Sequence, residues 1–169
     1  MVGDSLALAR AAFAYEGLLR RVLASLKYLG ASRLAPILAG AAEPAMRPLV
    51  AVTGPATLVP VPLHLERRRS RGYNQAELLA RQLARSTGMP FADPLARARP
   101  TTRQHRLNRV ARLQNLRGAF VLRPGGTVPQ AAILVDDIIT TTATLDACAS
   151  VLRAAGCEAA YGFAVAREV

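Results

Sequence analysis

Apolar residues at Leu18, Leu19, Val22, Leu23, Leu26 and Leu29 recur at steps of three and four, so Ser5 to Leu29 reads as a helix with one apolar face. Gly17 interrupts that pattern and Gly30 closes it. A second helical stretch, rich in Ala and Leu, runs from Ser32 to about Met46, with Pro36 near its first turn, where a missing N–H costs least. The pattern changes after Pro48. Thr57-Leu-Val-Pro-Val61 is short, β-branched and fenced by prolines, which predicts a strand entering a loop at Pro62. Gly72 and Asn74 punctuate the chain before Leu78, Leu79 and Leu83 mark an amphipathic helix from Ala76 to Ser86, stopped by Gly88. The segment Arg97 to Arg117 is Arg-rich, has few large apolar residues and keeps no period. It predicts a long mobile loop with room for one short helix.

Ala131-Ala-Ile-Leu-Val135 is a continuous apolar run of the kind that a central parallel strand, buried on both faces, requires. Asp136 and Asp137 are expected to end it. Thr140 to Thr144 are small and, Ala143 apart, hydroxylic; an Ala-rich helix then runs from Leu145 to Ala155 and stops at Gly156. Tyr161 to Ala166 supplies a last apolar strand. Strands alternating with helices, with no compositional break, predict one α/β domain over residues 1–169: a mainly parallel sheet between helices, with ligand loops at the strand C-termini.

Charge narrows the class of ligand. Lys and Arg number 22 against 11 Asp and Glu, a net charge of +11, and this positive field favours polyanions, whether phosphorylated metabolites or nucleic acid. Much of the excess is arginine between Arg67 and Arg123, whose planar fork grips phosphate in two places. Cys148 and Cys157 are the only cysteines and His64 and His105 the only histidines, with no metal-ligand spacing among them, so no zinc is expected. Two thiols in a signal-less chain point to a reducing cytoplasm. The N-terminus lacks a basic flank and the apolar stretch Leu34 to Leu38 is broken by Pro36, so neither a signal peptide nor a membrane partner is expected.

The sharpest chemistry lies in Ile133 to Leu145, where an apolar strand delivers two acids and a hydroxyl-rich turn to the start of a helix. A helix N-terminus, with free N–H groups and the positive end of its dipole, suits a phosphate. Two acids beside it suit sugar hydroxyls or magnesium. Together they describe a ribose 5-phosphate site. The plainer alternative is that Asp136 and Asp137 solvate a strand end and Thr140 caps a helix.

Val135-Asp-Asp-Ile-Ile-Thr-Thr-Thr-Ala-Thr144 resembles the phosphoribosyl pyrophosphate (PRPP) signature of type I phosphoribosyltransferases. Two further segments are similar to the ComF family of competence proteins. One is Val59-Pro-Val-Pro-Leu-His64 followed by Arg67, Arg68, Arg69 and Arg71-Gly-Tyr-Asn-Gln75; the other is Arg112 with Asn115-Leu-Arg-Gly-Ala-Phe120. The resemblance spans roughly residues 15–167. It implies the type I phosphoribosyltransferase fold, a central, mainly parallel sheet flanked by helices with a small N-terminal hood and a mobile flap.

Carried over by position, Asp136 and Asp137 would hold the ribose and meet magnesium only through the ligand. Thr140, Thr141, Thr142, Ala143 and Thr144 would wrap the 5-phosphate. Arg67 and Arg71, in the loop after the first core strand, would face pyrophosphate. The flap would be Arg99 to Arg117, with Gln104, Arg109 and Arg112 as its phosphate or nucleic-acid contacts. The family has glycine where this chain has Thr142; a β-branched residue resists positive φ, so the phosphate loop is expected to sit wider and hold phosphate less well. Lys27-Tyr-Leu-Gly30 also looks like a family segment, with Lys27 expected on the surface of a core helix. His64 and His105 are expected as hydrogen-bonding loop residues and Cys148 as core filling. The four-cysteine zinc module common in that family has no counterpart in these residues.

The resemblance implies a PRPP-binding, phosphoribosyltransferase-like protein acting with magnesium in DNA uptake and natural transformation, alongside other competence proteins. Two alternatives stand beside it. One is a non-catalytic accessory whose Arg67 to Arg71 and Arg103 to Arg117 form a positive surface for single-stranded DNA. Aromatic content of 5% is thin for that role, and Tyr15, Tyr28 and Tyr73 are the candidate stacking residues. The other is a purine or pyrimidine salvage phosphoribosyltransferase, for which no base-recognising hood is readable between Phe13 and Gly30.

Overall fold

A computed structural model describes residues 5–99, 116 and 118–168. Along the chain it forms β1 (Leu8–Ala14), α1 (Gly17–Tyr28), α2 (Leu34–Thr53), β2 (Thr57–Pro60), α3 (Leu65–Arg71) and α4 (Gln75–Thr87). There follow β3 (Leu95–Arg97), β4 (Phe120–Leu122), β5 (Ala131–Ile139), α5 (Ala143–Ala154) and β6 (Ala159–Arg167). Four strands pair in the order β1, β6, β5, β2, every pair parallel, and β3 and β4 form a separate antiparallel pair. The architecture is α/β, a parallel sheet flanked by helices, compatible with a phosphoribosyltransferase-like fold.

The apolar run of β5 explains the layers. Ile133 and Val135 point to one face and pack with Leu23 and Leu26 of α1, Met46 and Leu49 of α2, and Leu79 and Leu83 of α4. Ala132 and Leu134 point to the other and pack with Leu145, Cys148 and Leu152 of α5. All of these are shut off from water, at about 1.5–3 kcal/mol for each large apolar side chain. Among the described residues no helix is long and apolar enough to cross a membrane.

Several elements differ from the sequence expectation. Leu8 to Ala14, expected in the first helix, is an edge strand paired with β6 from Leu8 opposite Tyr161 to Ala14 opposite Arg167. The apolar residues that carried the helical period all lie from Leu18 onward. The Ala- and Arg-rich stretch before them has helix propensity, but propensity is a few tenths of a kcal/mol per residue and yields to the hydrogen-bond ladder that β6 offers. The second helix runs on past Met46 to Thr53, through Pro44 and Pro48, and ends at Gly54 with φ 64°. Burial of Met46 and Leu49 on its inner face offsets the hydrogen bonds that the prolines remove. The basic segment after β2 is helical as α3, and Arg97 belongs to β3, opposite Phe120.

Asp136 and Asp137 do not end β5. It continues to Ile139 because β6 runs alongside, with Asp136 opposite Ala164 and Ile139 opposite Arg167. The next helix starts two residues earlier than expected, at Ala143.

The seating of α5 on the sheet depends on Gly162 in β6. A Cβ there would stand 2.7 Å from Leu145 Cδ1 and 3.2 Å from Ala9 Cβ. Gly162→Val is therefore expected to destabilise the fold by about 1–3 kcal/mol, read as a lower urea midpoint by circular dichroism. An unchanged midpoint would mean that α5 has room to lift from the sheet.

Candidate functional site

The carboxyl end of β2 lies beside the residue of β5 that precedes the two acids, Pro60 opposite Val135, and the pairing is prolonged by Val61 N–H donating to Val135 O at 2.9 Å. From β2 the chain passes His64, whose Nδ1 accepts from Glu66 N–H at 3.4 Å and caps α3. This is the hydrogen-bonding role expected of it. Helix α3 carries Arg67, Arg68, Arg69 and Arg71 and ends at Gly72, where φ of 81° is open to glycine and resisted by other residues.

The stretch Arg71-Gly-Tyr-Asn-Gln75 works as a clasp. Tyr73 Oη donates to the Leu26 carbonyl near the end of α1. Buried Asn74 donates to Val61 O at 3.0 Å and accepts from Ala76 N–H at 3.1 Å, which ties the start of α4 to the end of β2. Gln75 Oε1 accepts from Arg71 at 3.0 Å.

Between the end of α1 and α3 the clasp holds open a cleft of about 540 Å³ lined by Lys27, Tyr28, Gly30, Arg67, Ser70 and Arg71. Its lining has three cations and no carboxylate. The Arg71 guanidinium lies over the exposed Tyr28 ring, 5.2 Å from its centroid.

Lys27 is not on the surface. It is 7% exposed, and its Nζ lies 2.7 Å from Asp137 Oδ2, itself buried, in a contact that lacks hydrogen-bond alignment. The sequence reading missed it because the partner that makes burial tolerable sits on a distant strand. Asp136 leaves β5 on the opposite face, toward α5, where burial and then the Asp136 charge push the Cys148 thiol well up. Asp137 N–H donates to Asp136 Oδ1 at 2.8 Å. Burial first, then the neighbouring Asp137 carboxylate, push the Asp136 carboxyl up to about 8, and Lys27 only partly offsets this.

Thr140 is exposed, Thr141, Thr142 and Thr144 are half-buried, and Ala143 is buried. Thr142 has φ −72° and ψ −1°, ordinary right-handed geometry, so the conformation that would have demanded glycine is absent and the reason for expecting a wider loop falls away. Its carbonyl accepts from Asp146 N–H at 2.8 Å, and its side chain makes no capping bond to α5. Asp136 and Thr140 to Thr144 do not line the cleft, which meets the acid pair through Lys27. Gln104, His105, Arg109 and Arg112, and the basic stretch 103–115, lie outside the described residues.

No family model matches the chain. Competence protein F of Haemophilus influenzae is 39% identical over 116 residues, covering 67% of this chain and 51% of that protein. DNA utilization protein YhgH of Escherichia coli K12 is 32% identical over 117 residues, 67% of this chain and 50% of that protein. Competence protein ComFC of Streptococcus pneumoniae is 31% identical over 109 residues, 64% of this chain and 47% of that protein. The chain is a ComF-family protein. It spans about half the length of the curated relatives it matches.

In this ComF-family protein Asp136 makes the end of β5 sensitive to pH. The folded-state value of Asp136 lies above the ordinary 3.8 for a carboxyl, so the protonated acid contributes stability that is full below about pH 4 and lost as pH rises through about 8. Asp136→Asn stays neutral and can still accept from Asp137 N–H. Its stability relative to the parent is expected to climb steadily between pH 4 and 8, measured by urea unfolding. Parallel pH curves for parent and variant would contradict a raised Asp136.

Proposed function

We propose that this ComF-family protein binds PRPP at the carboxyl ends of β2 and β5 and serves DNA uptake in the cytoplasm alongside other competence proteins. The observation that carries the reading is the adjacency of two unlike half-sites on neighbouring parallel strands. From β5 come two acids and a helix start whose N-cap residue, Thr142, makes no side-chain capping bond; from β2 comes a cleft whose charged side chains are all cationic. Ribose hydroxyls need acceptors, which Asp136 and Asp137 supply. The 5-phosphate needs donors, which the Thr140 to Thr144 turn and the first N–H groups of α5 supply. Pyrophosphate needs cations, which Arg67 and Arg71 supply. The names of the relatives, competence proteins and DNA utilization proteins, support the DNA-uptake role.

Among the described residues no group of three or more His, Cys, Asp or Glu side chains could cage a metal. Two acids share one ammonium at the end of β5, however, and that shortage of positive charge suits a magnesium ion carried in on the ligand's oxygens. When bound, magnesium would neutralise charge on the pyrophosphate. Any transfer reaction would displace pyrophosphate at the anomeric carbon of the ribose, held between the acids and the cleft.

Calorimetric titration of PRPP with magnesium chloride tests the reading. The parent is expected to bind, and Asp136→Asn with Asp137→Asn to lose at least about tenfold in affinity while its thermal transition persists, since charge-assisted hydrogen bonds contribute about 1.5–3 kcal/mol each. Unchanged affinity in the folded double variant would sink the assignment. Salt-sensitive binding of a single-stranded oligonucleotide by a parent that shows no PRPP heat would favour the accessory reading instead.

Thr142→Gly supplies a separate measurement. Because Thr142 already holds helical geometry, glycine would loosen the start of α5, with an expected loss in PRPP affinity of about 0.5–1 kcal/mol. Tighter binding would show that the phosphate loop needs a glycine there after all.

A further inference from the structure

We propose that Lys27 is a positioning residue that lets go of Asp137 when an anion enters the cleft between α1 and α3. The inference rests on the reading of that cleft as the pyrophosphate end of the site. Lys27 belongs to two environments at once, touching Asp137 on β5 at 2.7 Å and forming part of the cleft wall with Arg67 and Arg71. An ammonium carries three donors and turns on a flexible stem. Its contact with Asp137 lacks hydrogen-bond alignment, and among the described residues Asp137 Oδ2 has no hydrogen bond beside that ion pair.

Of the three cleft cations Arg71 is held by Gln75 Oε1 and the Tyr28 ring, and Lys27, on its flexible stem, is the one paired with an acid of β5, so an anion in the cleft competes with Asp137 for it. A multiply charged anion there draws the ammonium toward itself and away from the acid. Asp137, its hold loosened, then accepts from a sugar hydroxyl. Anion and acid thus compete for one cation, and the coupling is reciprocal: whatever weakens the claim of Asp137 on Lys27 strengthens anion binding by the same factor.

The competition gives Asp137→Asn opposite signs for two probes. Inorganic pyrophosphate in metal-free buffer, followed by calorimetry, is expected to bind Asp137→Asn about three- to tenfold tighter than the parent, while PRPP binds it more weakly. Lys27→Met alone would strand a buried carboxylate and need not fold, so the comparison uses Lys27→Met with Asp137→Asn, which removes both charges. That double variant is expected to bind pyrophosphate at least about tenfold more weakly than Asp137→Asn. A Lys27 that merely props the fold would move thermal stability and leave the sign reversal absent.

Pyrophosphate affinity that is unchanged or weaker in Asp137→Asn overturns the inference, as does a double variant that binds as well as the single. A parent that binds PRPP but not pyrophosphate overturns it and leaves the proposed function standing. A parent that binds neither overturns both.

Discussion

Ile133, Leu134 and Val135 are sealed from water by α1, α2 and α4 on one side and α5 on the other, and this double cover leaves β5 one place to present polar chemistry, its carboxyl end. Because β2 runs parallel beside it, the end of β2 reaches the same edge of the sheet, and so do the turns that follow each strand. Acids near the end of one strand and arginines on the helix that follows the other are brought to the same edge by backbone pairing before any side chain meets another. The closeness of α5, permitted by Gly162, then sets where the Thr140 to Thr144 turn must end.

One of the segments that resemble the ComF family is mostly framework. In Arg71-Gly-Tyr-Asn-Gln75 the glycine closes α3, the tyrosine reaches back to α1, the asparagine joins α4 to β2 and the glutamine holds the arginine. Only Arg71 also faces the cleft. A motif can therefore mark a family strongly because it shapes a binding site, without supplying most of the groups that touch a ligand.

The elements legible in the sequence were those whose signal is local. The apolar run of β5, the Leu spacing of α4 with its Asn74 and Gly88 boundaries, and the helix after the threonines needed no knowledge of distant partners. Strand β1 was not legible because its only reason to be extended is β6, at the other end of the chain. The burial of Lys27 was hidden for the same reason. The opposed faces of Asp136 and Asp137 were within reach, since neighbours on a strand alternate. Reading the acids as the end of β5 concealed it.

Lys27 and Asp137 also say something about descent. Loss of Lys27 alone strands the buried Asp137 carboxylate, loss of Asp137 alone leaves an ammonium that still borders the cleft, and loss of both leaves neither charge. The two orders of substitution are therefore unequal: a lineage that gives up the pair is expected to change Asp137 first, because that order never strands a carboxylate.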